Sequence, residues 1–204
     1  INSYFLVPYV GVNPANGNAL YRKLDGSLTE VFSNDDRVIT GSVQPKYQGG
    51  FGLQANYKGF FLRSDFSFLA GVERYNDQLR FFSSDPLLSI NFNVSEDYNR
   101  AWTPENRITD VEGLFSTRDQ FGSTKFLQDA SYLRLRDLTI GYDFTDAISK
   151  TLPIKSLKFY ASGQNLLTWS KWRGLDVENA VNRLFAFSDF PTPRIFTVGI
   201  DITL

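Results

Sequence analysis

The sequence of 204 residues predicts an all-β fold, an antiparallel sheet that is a segment of a transmembrane β-barrel. Three observations predict it. Apolar and polar residues alternate along several segments, the polar positions are mostly small or uncharged, and long connections alternate with short ones. A period of two residues is that of a strand with one apolar and one polar face.

The alternation is clearest from Leu157 to Trp169, where Asn165 is the only polar residue in the apolar phase and Leu166 the only apolar residue in the other. The same pattern extends over 47–57, 60–72 and 196–204. Within 132–144 the phase changes, and a β-bulge near Arg136–Asp137 reconciles the two halves. With the poorly phased segment SYFLVPYVGV, which contains Pro8, the sequence predicts about six strands.

The connections alternate in length. Residues 13–44, 75–129 and 173–192 are long, whereas Tyr57-Lys58-Gly59 is a tight turn and 145–156 is short, with a turn of helix predicted at Asp146–Leu152. Antiparallel neighbours place all the long connections at one end of the sheet. Outer-membrane barrels have this asymmetry, with long extracellular loops and short periplasmic turns.

A soluble β-sandwich also alternates, and alternation alone does not separate the two folds. The polar phase favours the barrel, because it carries Gly50, Ser67 and Ser162 where a solvated face usually carries Lys and Glu. Aromatic residues at strand ends, such as Tyr57 and Trp169, are typical of the two girdles of a membrane barrel. Six strands cannot close, so we expect a share of a larger or oligomeric barrel.

Composition excludes several classes of site. The chain has no His, Cys or Met. Disulfides and thiolate metal sites therefore have no residues to form them, and zinc chemistry and Ser-His-Asp catalysis are nearly excluded, whereas chemistry by carboxylates alone stays open. The formal net charge is −1. Bulk charge does not favour nucleic acid. We predict no enzyme activity, no catalytic residue, no cofactor and no metal. The missing Met indicates a mature or truncated piece, and no apolar run reaches the 18 residues of a transmembrane helix.

Several motifs resemble, in order and spacing, the C-terminal barrel region of SusC/RagA-type TonB-linked outer-membrane transporters of Bacteroidetes. The most specific are YLRLR at Tyr132–Arg136, SGQNLL at Ser162–Leu167 followed by GLD at Gly174–Asp176, and PTPRIFTVG at Pro191–Gly199. The resemblance covers essentially the whole chain. One departure is Leu204, which stands where the family usually ends in Phe.

The resemblance implies that residues 1–204 are the C-terminal part of a barrel of about 22 strands, with the plug domain and TonB box outside this segment. It implies TonB-energised import of oligosaccharide or peptide across the outer membrane of a Gram-negative bacterium. The implied partners are a SusD-like lipoprotein, the TonB complex and outer-membrane lipid. The alternative, from another class of protein, is a secreted β-sandwich that binds glycans.

Individual residues receive roles from this interpretation. Trp102 and Trp172 are candidate substrate-binding residues, although girdle anchoring for Trp172 and loop packing for Trp102 are the simpler roles. Arg134 and Arg136 could meet anionic substrate or the plug, and an ion pair with an acidic neighbour is the simpler role. The lumen-facing candidates are Arg134, Arg136, Lys158, Tyr160 and Gln164. The lipid-facing aromatic candidates are Phe66, Phe68, Phe159, Trp169 and Phe196.

Overall fold

The computed structural model of the chain describes residues 2–84, 93–116, 119, 122–148, 153–181 and 190–204. They divide into two compact units. The first, called the loop unit, comprises Ile1–Gln44, Gly71–Ala130 and Trp172–Asp189. The second, called the sheet unit, comprises Pro45–Ala70, Ser131–Lys171 and Phe190–Leu204. None of the described helices has the length and apolar character needed to cross a membrane.

Strands are the main secondary structure. In chain order the elements are β1 Tyr4–Leu6, β2 Tyr9–Val12, β3 Ala19–Arg22, β4 Leu28–Thr29, β5 Val38–Thr40, β6 Tyr47–Tyr57, β7 Phe60–Ala70, β8 Glu73–Tyr75, α1 Asp77–Ser84, β9 Leu127–Asp129, β10 Tyr132–Asp143, α2 Thr145–Ile148, β11 Ser156–Ser170, α3 Val177–Val181 and β12 Ile195–Thr203. Among the described residues, short 3-10 helices span Asn34–Asp36 and Glu96–Arg100.

The sheet unit is a single five-stranded sheet in the order β12-β11-β10-β7-β6, and all its neighbours are antiparallel. These are the five well-phased segments of the sequence. The first predicted strand does not join them. Pro8 has no amide hydrogen to donate, and it separates β1 from β2, which pair with β5 and β3 in small sheets of the loop unit. The large sheet therefore has five strands, where about six were predicted.

The predicted bulge in β10 is confirmed. The pairing of β10 shifts between Leu135 and Asp137 against both of its neighbours, so Arg136 is the inserted residue relative to β7. The bulge puts Leu133 and Leu135 on the same face as Leu138 and the residues beyond it. It also increases the local twist of the strand.

A second irregularity in β11 corrects one prediction. Asn165 has φ +53°, a left-handed conformation that asparagine tolerates better than most residues, and its amide donates to the carbonyl of Pro193 at 3.2 Å. Leu166 then packs onto Gly163, where an added Cβ would lie 2.7 Å from a Leu166 methyl carbon. Leu166 therefore covers the apolar side of the sheet, whereas its phase in the sequence predicted the polar side.

The connections leave the sheet as predicted. Tyr47, Ala70, Tyr132 and Ser170 lie at one edge, called the loop edge, and the long segment 71–131 begins and ends there. Segment 171–194 also begins there, and β12 follows it from Ile195, opposite Gln164 of β11. The opposite edge, called the hairpin edge, carries the two short connections. One is the turn between β6 and β7, and the other contains α2, which begins at Thr145. The predicted helical turn extends to Leu152, but 149–152 lie outside the described residues.

The loop unit has small cores made of residues that are far apart in sequence. One combines Leu6, Tyr75 and Phe126, and another combines Val7, Ala19 and Tyr21. Tyr21 meets Tyr9 and Phe32 edge to face, with ring centroids 6.1 and 5.5 Å away. Edge-to-face contacts of this kind stabilise beyond simple burial of area.

Candidate functional site

The two faces of the five-stranded sheet differ in chemistry and are the first candidate site. On one side, called the apolar face, successive rows across the strands are almost entirely hydrophobic. On the other, called the polar face, they are mostly amides, hydroxyls, glycines and a few charges, with Phe61 and Leu69 as apolar exceptions. The apolar face consists of Tyr47, Gly49, Phe51, Leu53, Ala55, Tyr57, Phe60, Leu62, Ser64, Phe66, Phe68, Ala70, Leu133, Leu135, Leu138, Ile140, Tyr142, Leu157, Phe159, Ala161, Gly163, Leu166, Leu167, Trp169, Phe196, Val198, Ile200 and Ile202.

All five residues predicted to face lipid lie on the apolar face. Phe68 and Trp169 flank Leu133 in one row, and Phe66 stacks on Phe51 with ring centroids 4.9 Å apart. Phe159 and Phe196 belong to β11 and β12, and 76% of Phe196 is exposed. Whether this face meets lipid stays a prediction.

Aromatic rings gather at the hairpin edge of the apolar face. Phe60 and Phe144 both pack against Tyr142, with ring centroids 4.7 and 4.6 Å from its ring. Phe144 continues to Phe159 at 5.4 Å. These contacts are edge to face, which suits the charge distribution of aromatic rings. The result is a row of rings along one border of the apolar face.

The predicted lumen-facing residues lie on or next to the polar face. Arg134 stands opposite Ser67 and Thr168, and it is buried with its guanidinium 5.9 Å from the ring of Tyr132. At the bulge, Arg136 Nε donates to Ser67 Oγ at 2.7 Å. The register places Arg134 on the polar face, and this hydrogen bond directs Arg136 toward the same side.

The remaining three candidates come from β11. Lys158 lies between Asp143 and Asp201, with Nζ 3.5 Å from Asp143 Oδ2, and Gln164 stands opposite Asp137. The ring of Tyr160 lies over Gly199, where an added Cβ would be 2.3 Å from Cζ. Glycine at that position leaves space for the ring, which explains why the alternation in β12 includes a residue with no side chain.

A polar cavity of about 810 Å³ opens on the polar face near the hairpin edge. Lys58, Arg63 and Lys158 supply positive charge, and Asp143, Asp146 and Asp201 supply negative charge. Arg63 Nε lies 3.2 Å from Asp65 Oδ2, and both side chains are largely exposed. Exposed ion pairs of this kind add little stability. They make the surface hydrophilic and leave it able to contact a polar ligand or a polar protein segment.

In the loop unit, Trp102 packs against other loops. Its indole N–H donates to the carbonyl of Pro14 at 3.1 Å, and its ring lies against Gly17 and Gly113, where an added Cβ would come within 2.7 and 3.4 Å of ring carbons. Trp172 lies against Gly174 in the same manner. Both indoles are half-buried. Substrate binding by their remaining surface stays a prediction.

Buried polar side chains of the loop unit join segments that lie far apart in sequence, and the sequence did not reveal them. Asn76 is 1% exposed. It donates to the carbonyl of Arg173 at 2.7 Å and to Gln128 Oε1 at 3.2 Å, and it accepts from the amide of Leu79 at the start of α1. Arg74 donates to the carbonyls of Val181, at 2.8 Å, and Val43, at 2.6 Å.

Two charged networks lie in the same unit. Asp97 receives Arg100 Nη2 at 2.6 Å and Arg173 Nη2 at 2.7 Å. Burial alone raises the pKa of Asp97, but the hydrogen bonds from these two guanidinium groups outweigh it and hold the pKa below its usual value. Arg100 also pairs with Asp110. The network ties the 3-10 helix at Glu96–Arg100 to the segment that follows β11.

The second network surrounds Glu112, which is fully buried. It pairs with Lys125 and accepts from the hydroxyl of Tyr9 at 3.0 Å. Burial and the nearby Glu112 carboxylate raise the pKa of Tyr9 well above its ordinary range. Burial also raises the pKa of Asp119 to about 6, against the opposing effects of Ser123 and Lys125. Only short-range patterns were available in the sequence, and Tyr9 and Glu112 are 103 positions apart.

Known proteins resemble this chain in both sequence and structure. No protein-family model matches it. TonB-dependent receptor P3 of Formosa agariphila is 29% identical over 196 residues, which is 91% of this chain and 19% of the relative. TonB-dependent receptor SusC of Bacteroides thetaiotaomicron is 27% identical over 207 residues, 98% of this chain and 19% of the relative. The chain thus spans about a fifth of the length of these relatives.

Among solved structures, the RagAB peptide importer in its open-open state matches with a TM-score of 0.84 and 28% identity, over 99% of this chain and 22% of the other. A structure of the RagAB peptide transporter matches with a TM-score of 0.84 and 29% identity, over 98% and 23%. These similarities confirm the predicted resemblance to SusC/RagA-type TonB-dependent transporters.

Proposed function

We propose that residues 1–204 form the C-terminal part of a TonB-dependent outer-membrane transporter, and that the five-stranded sheet is part of its barrel wall. The complete barrel has about 22 strands, as large plugged transporters do, with the plug domain and the TonB box in other parts of the protein. The protein imports oligosaccharide or peptide, is energised through TonB, and works with a SusD-like lipoprotein. The chain itself has no catalytic role.

The observation that carries the proposal is the exposed apolar face. Val198 is 84% exposed, Phe60 64% and Leu53 60%, in three different strands of one sheet. Within the described part of the sheet unit, no second sheet packs on this side, which a soluble β-sandwich would require. A contiguous apolar surface that extends across the strands of a whole sheet is characteristic of a face that meets hydrocarbon or another protein.

The chemistry of the polar face is what a water-filled lumen on that side of the sheet would require. Arg134, Arg136, Lys158, Tyr160 and Gln164 would contact the plug or passing solute, and Phe66, Phe68, Phe159, Trp169 and Phe196 would contact lipid. In membrane barrels, charge is disfavoured on the lipid side and tolerated in the lumen. The charged residues of the sheet follow this rule, since Arg63, Asp65, Lys158 and Asp201 all lie on the polar face.

The loops of the loop unit would form the extracellular rim, where the lipoprotein binds and substrate enters. Trp102 and Trp172 are the candidate contacts for substrate, since a half-buried indole offers a flat apolar surface to a sugar ring or a peptide side chain. The relatives named RagAB are described as a peptide importer. For this chain we propose peptide or oligosaccharide as the substrate class.

Fractionation of the complete protein tests the membrane assignment. We expect the protein in outer-membrane fractions, soluble only with detergent, with a folded band that shifts on heating before electrophoresis. A protein that is fully soluble after simple lysis would support the secreted β-sandwich.

Uptake tests the transport assignment. A deletion strain should lose growth on one oligosaccharide or one peptide mixture as the sole nutrient, and the complete gene should restore it. If substrate contacts the loop indoles, Trp172→Ala reduces uptake while membrane abundance and the heat shift stay normal. Restoration of full uptake by both Trp102→Ala and Trp172→Ala variants would contradict their substrate role.

A further inference from the structure

We propose that the apolar face holds one phospholipid in a defined seat, with an acyl chain in a groove beside the hairpin-edge aromatics and the phosphate beside Lys58. The inference rests on the proposed function, because the groove must face hydrocarbon. It adds a binding site to a surface that would otherwise be a uniform contact with lipid.

The groove has a volume of about 720 Å³, and residues of all five strands line it. Ala55 and Ala161 stand in one row across the strands with Leu62, Ile140 and Val198. The neighbouring row, toward the hairpin edge, contains much larger aromatic side chains from β6, β7, β10 and β11, namely Tyr57, Phe60, Tyr142 and Phe159. The short side chains leave a depression beside this aromatic wall.

The depression is local and does not extend over the whole apolar face. Nearer the loop edge, larger side chains cover the small residues. A Cβ added to Gly49 would lie 3.1 Å from ring carbons of Phe68, so this ring covers Gly49. Leu166 covers Gly163 in the same way. Ala55 and Ala161 have no such cover and are exposed.

The dimensions of the groove suit an acyl chain. The row crosses four inter-strand spacings of about 4.8 Å, a length of about 19 Å. Strands of a membrane barrel tilt by about 45° from the membrane normal, so a groove across the strands makes a similar angle with the normal. A chain entering from the headgroup region can follow it toward the middle of the bilayer.

Lys58 supplies the charge for a phosphate. It lies in the turn between β6 and β7, and its ammonium is 5.3 Å from the ring centroid of Tyr57, which lines the groove and is 70% exposed. Among the described residues no carboxylate pairs with Lys58, whereas Lys158 has Asp143 and Arg63 has Asp65. A free ammonium at headgroup level attracts an anionic phosphate and forms a charge-assisted hydrogen bond with it.

The hairpin edge carries the short turns, which face the periplasm in outer-membrane barrels. The lipid of that leaflet is phospholipid, so a phospholipid is the occupant. One acyl chain would occupy the groove, and the phosphate would lie beside Lys58, which borders the polar cavity and whose ammonium lies over the ring of Tyr57 at the border of the groove. If a second copy of this protein occupied the groove instead, each partner would need charged or polar residues around its groove that match Lys58 of the other.

Native mass spectrometry of the complete transporter, extracted in mild detergent and washed, tests the seat. We expect wild-type protein to retain one phospholipid. The double variant Ala55→Leu, Ala161→Leu fills the groove and should lower retention at least fivefold. Lys58→Glu should lower it at least threefold. The matched control is Ala70→Leu, which makes the same change at one position of the apolar face at the loop edge and should leave retention unchanged. Ala55→Leu and Ala161→Leu, each as a single variant, add the same volume as this control and should each lower retention.

The inference is overturned if wild-type protein retains no phospholipid, if the groove variants retain as much as wild type, or if the retained mass is a second copy of the protein. The heat shift and detergent requirement of the same preparations separate the two proposals. Loss of both in wild-type protein refutes the membrane assignment. A normal heat shift without a retained phospholipid refutes only the seat.

Discussion

Replacing Val198 by arginine isolates the cost of placing charge on the apolar face. Val198 is 84% exposed, so the substitution removes little packing and opens no cavity. It is the fourth of nine residues in β12. A step of about 3.4 Å along a strand tilted by about 45° changes depth by about 2.4 Å, so Val198 lies about 2.4 Å from the depth of the strand's centre. Arginine near the middle of a bilayer costs about 2–4 kcal/mol.

Thr197→Arg is the matched control. Thr197 is adjacent, exposed, and on the polar face opposite Ser162, so its arginine would be in lumen water. Urea titration of the complete protein in lipid vesicles, followed by the heat shift, gives both free energies of unfolding. We expect a loss of about 2–4 kcal/mol for Val198→Arg and a change below about 1 kcal/mol for Thr197→Arg. Equal costs, or a neutral Val198→Arg, would refute the assignment of the apolar face to lipid.

Three further predictions concern the loop unit. Asn76→Ala should destabilise it by about 1–3 kcal/mol, measured as faster limited proteolysis, and Asn76→Asp should do nearly the same because a carboxylate keeps the acceptor at α1 but donates nothing to Arg173 or Gln128. Arg74→Lys should increase hydrogen exchange in α3, since one ammonium cannot match the guanidinium contacts to Val181 and Val43, and unchanged exchange would contradict this. Burial raises the pKa of Asp119 from its ordinary 3.8 to about 6, so the folded state keeps a proton that the unfolded state releases. Stability should therefore fall as pH rises from about 4 to about 6, and Asp119→Asn should flatten that part of the denaturation profile.

The sequence predicted the five-stranded sheet well because an alternating pattern is a direct consequence of two different environments on its two faces. Even the bulge at Arg136 was readable, since an inserted residue reverses the phase of every residue beyond it. The same reasoning failed at Leu166. Because Asn165 is left-handed and Gly163 has no side chain, Leu166 can lie on the apolar side while the alternation of the residues before and after it stays the same.

The loop unit could not be predicted in this way, because its order comes from contacts between distant polar residues. Asn76 meets Arg173 across 97 positions, and Tyr9 meets Glu112 across 103. Such pairs leave no local periodicity, and each residue alone has the composition of an ordinary loop. Their burial nevertheless requires satisfied partners, because an unpaired buried polar group costs about 1–3 kcal/mol. Loops held by such contacts have a defined conformation, and a defined conformation is what a rim needs if it is to recognise a substrate or a lipoprotein.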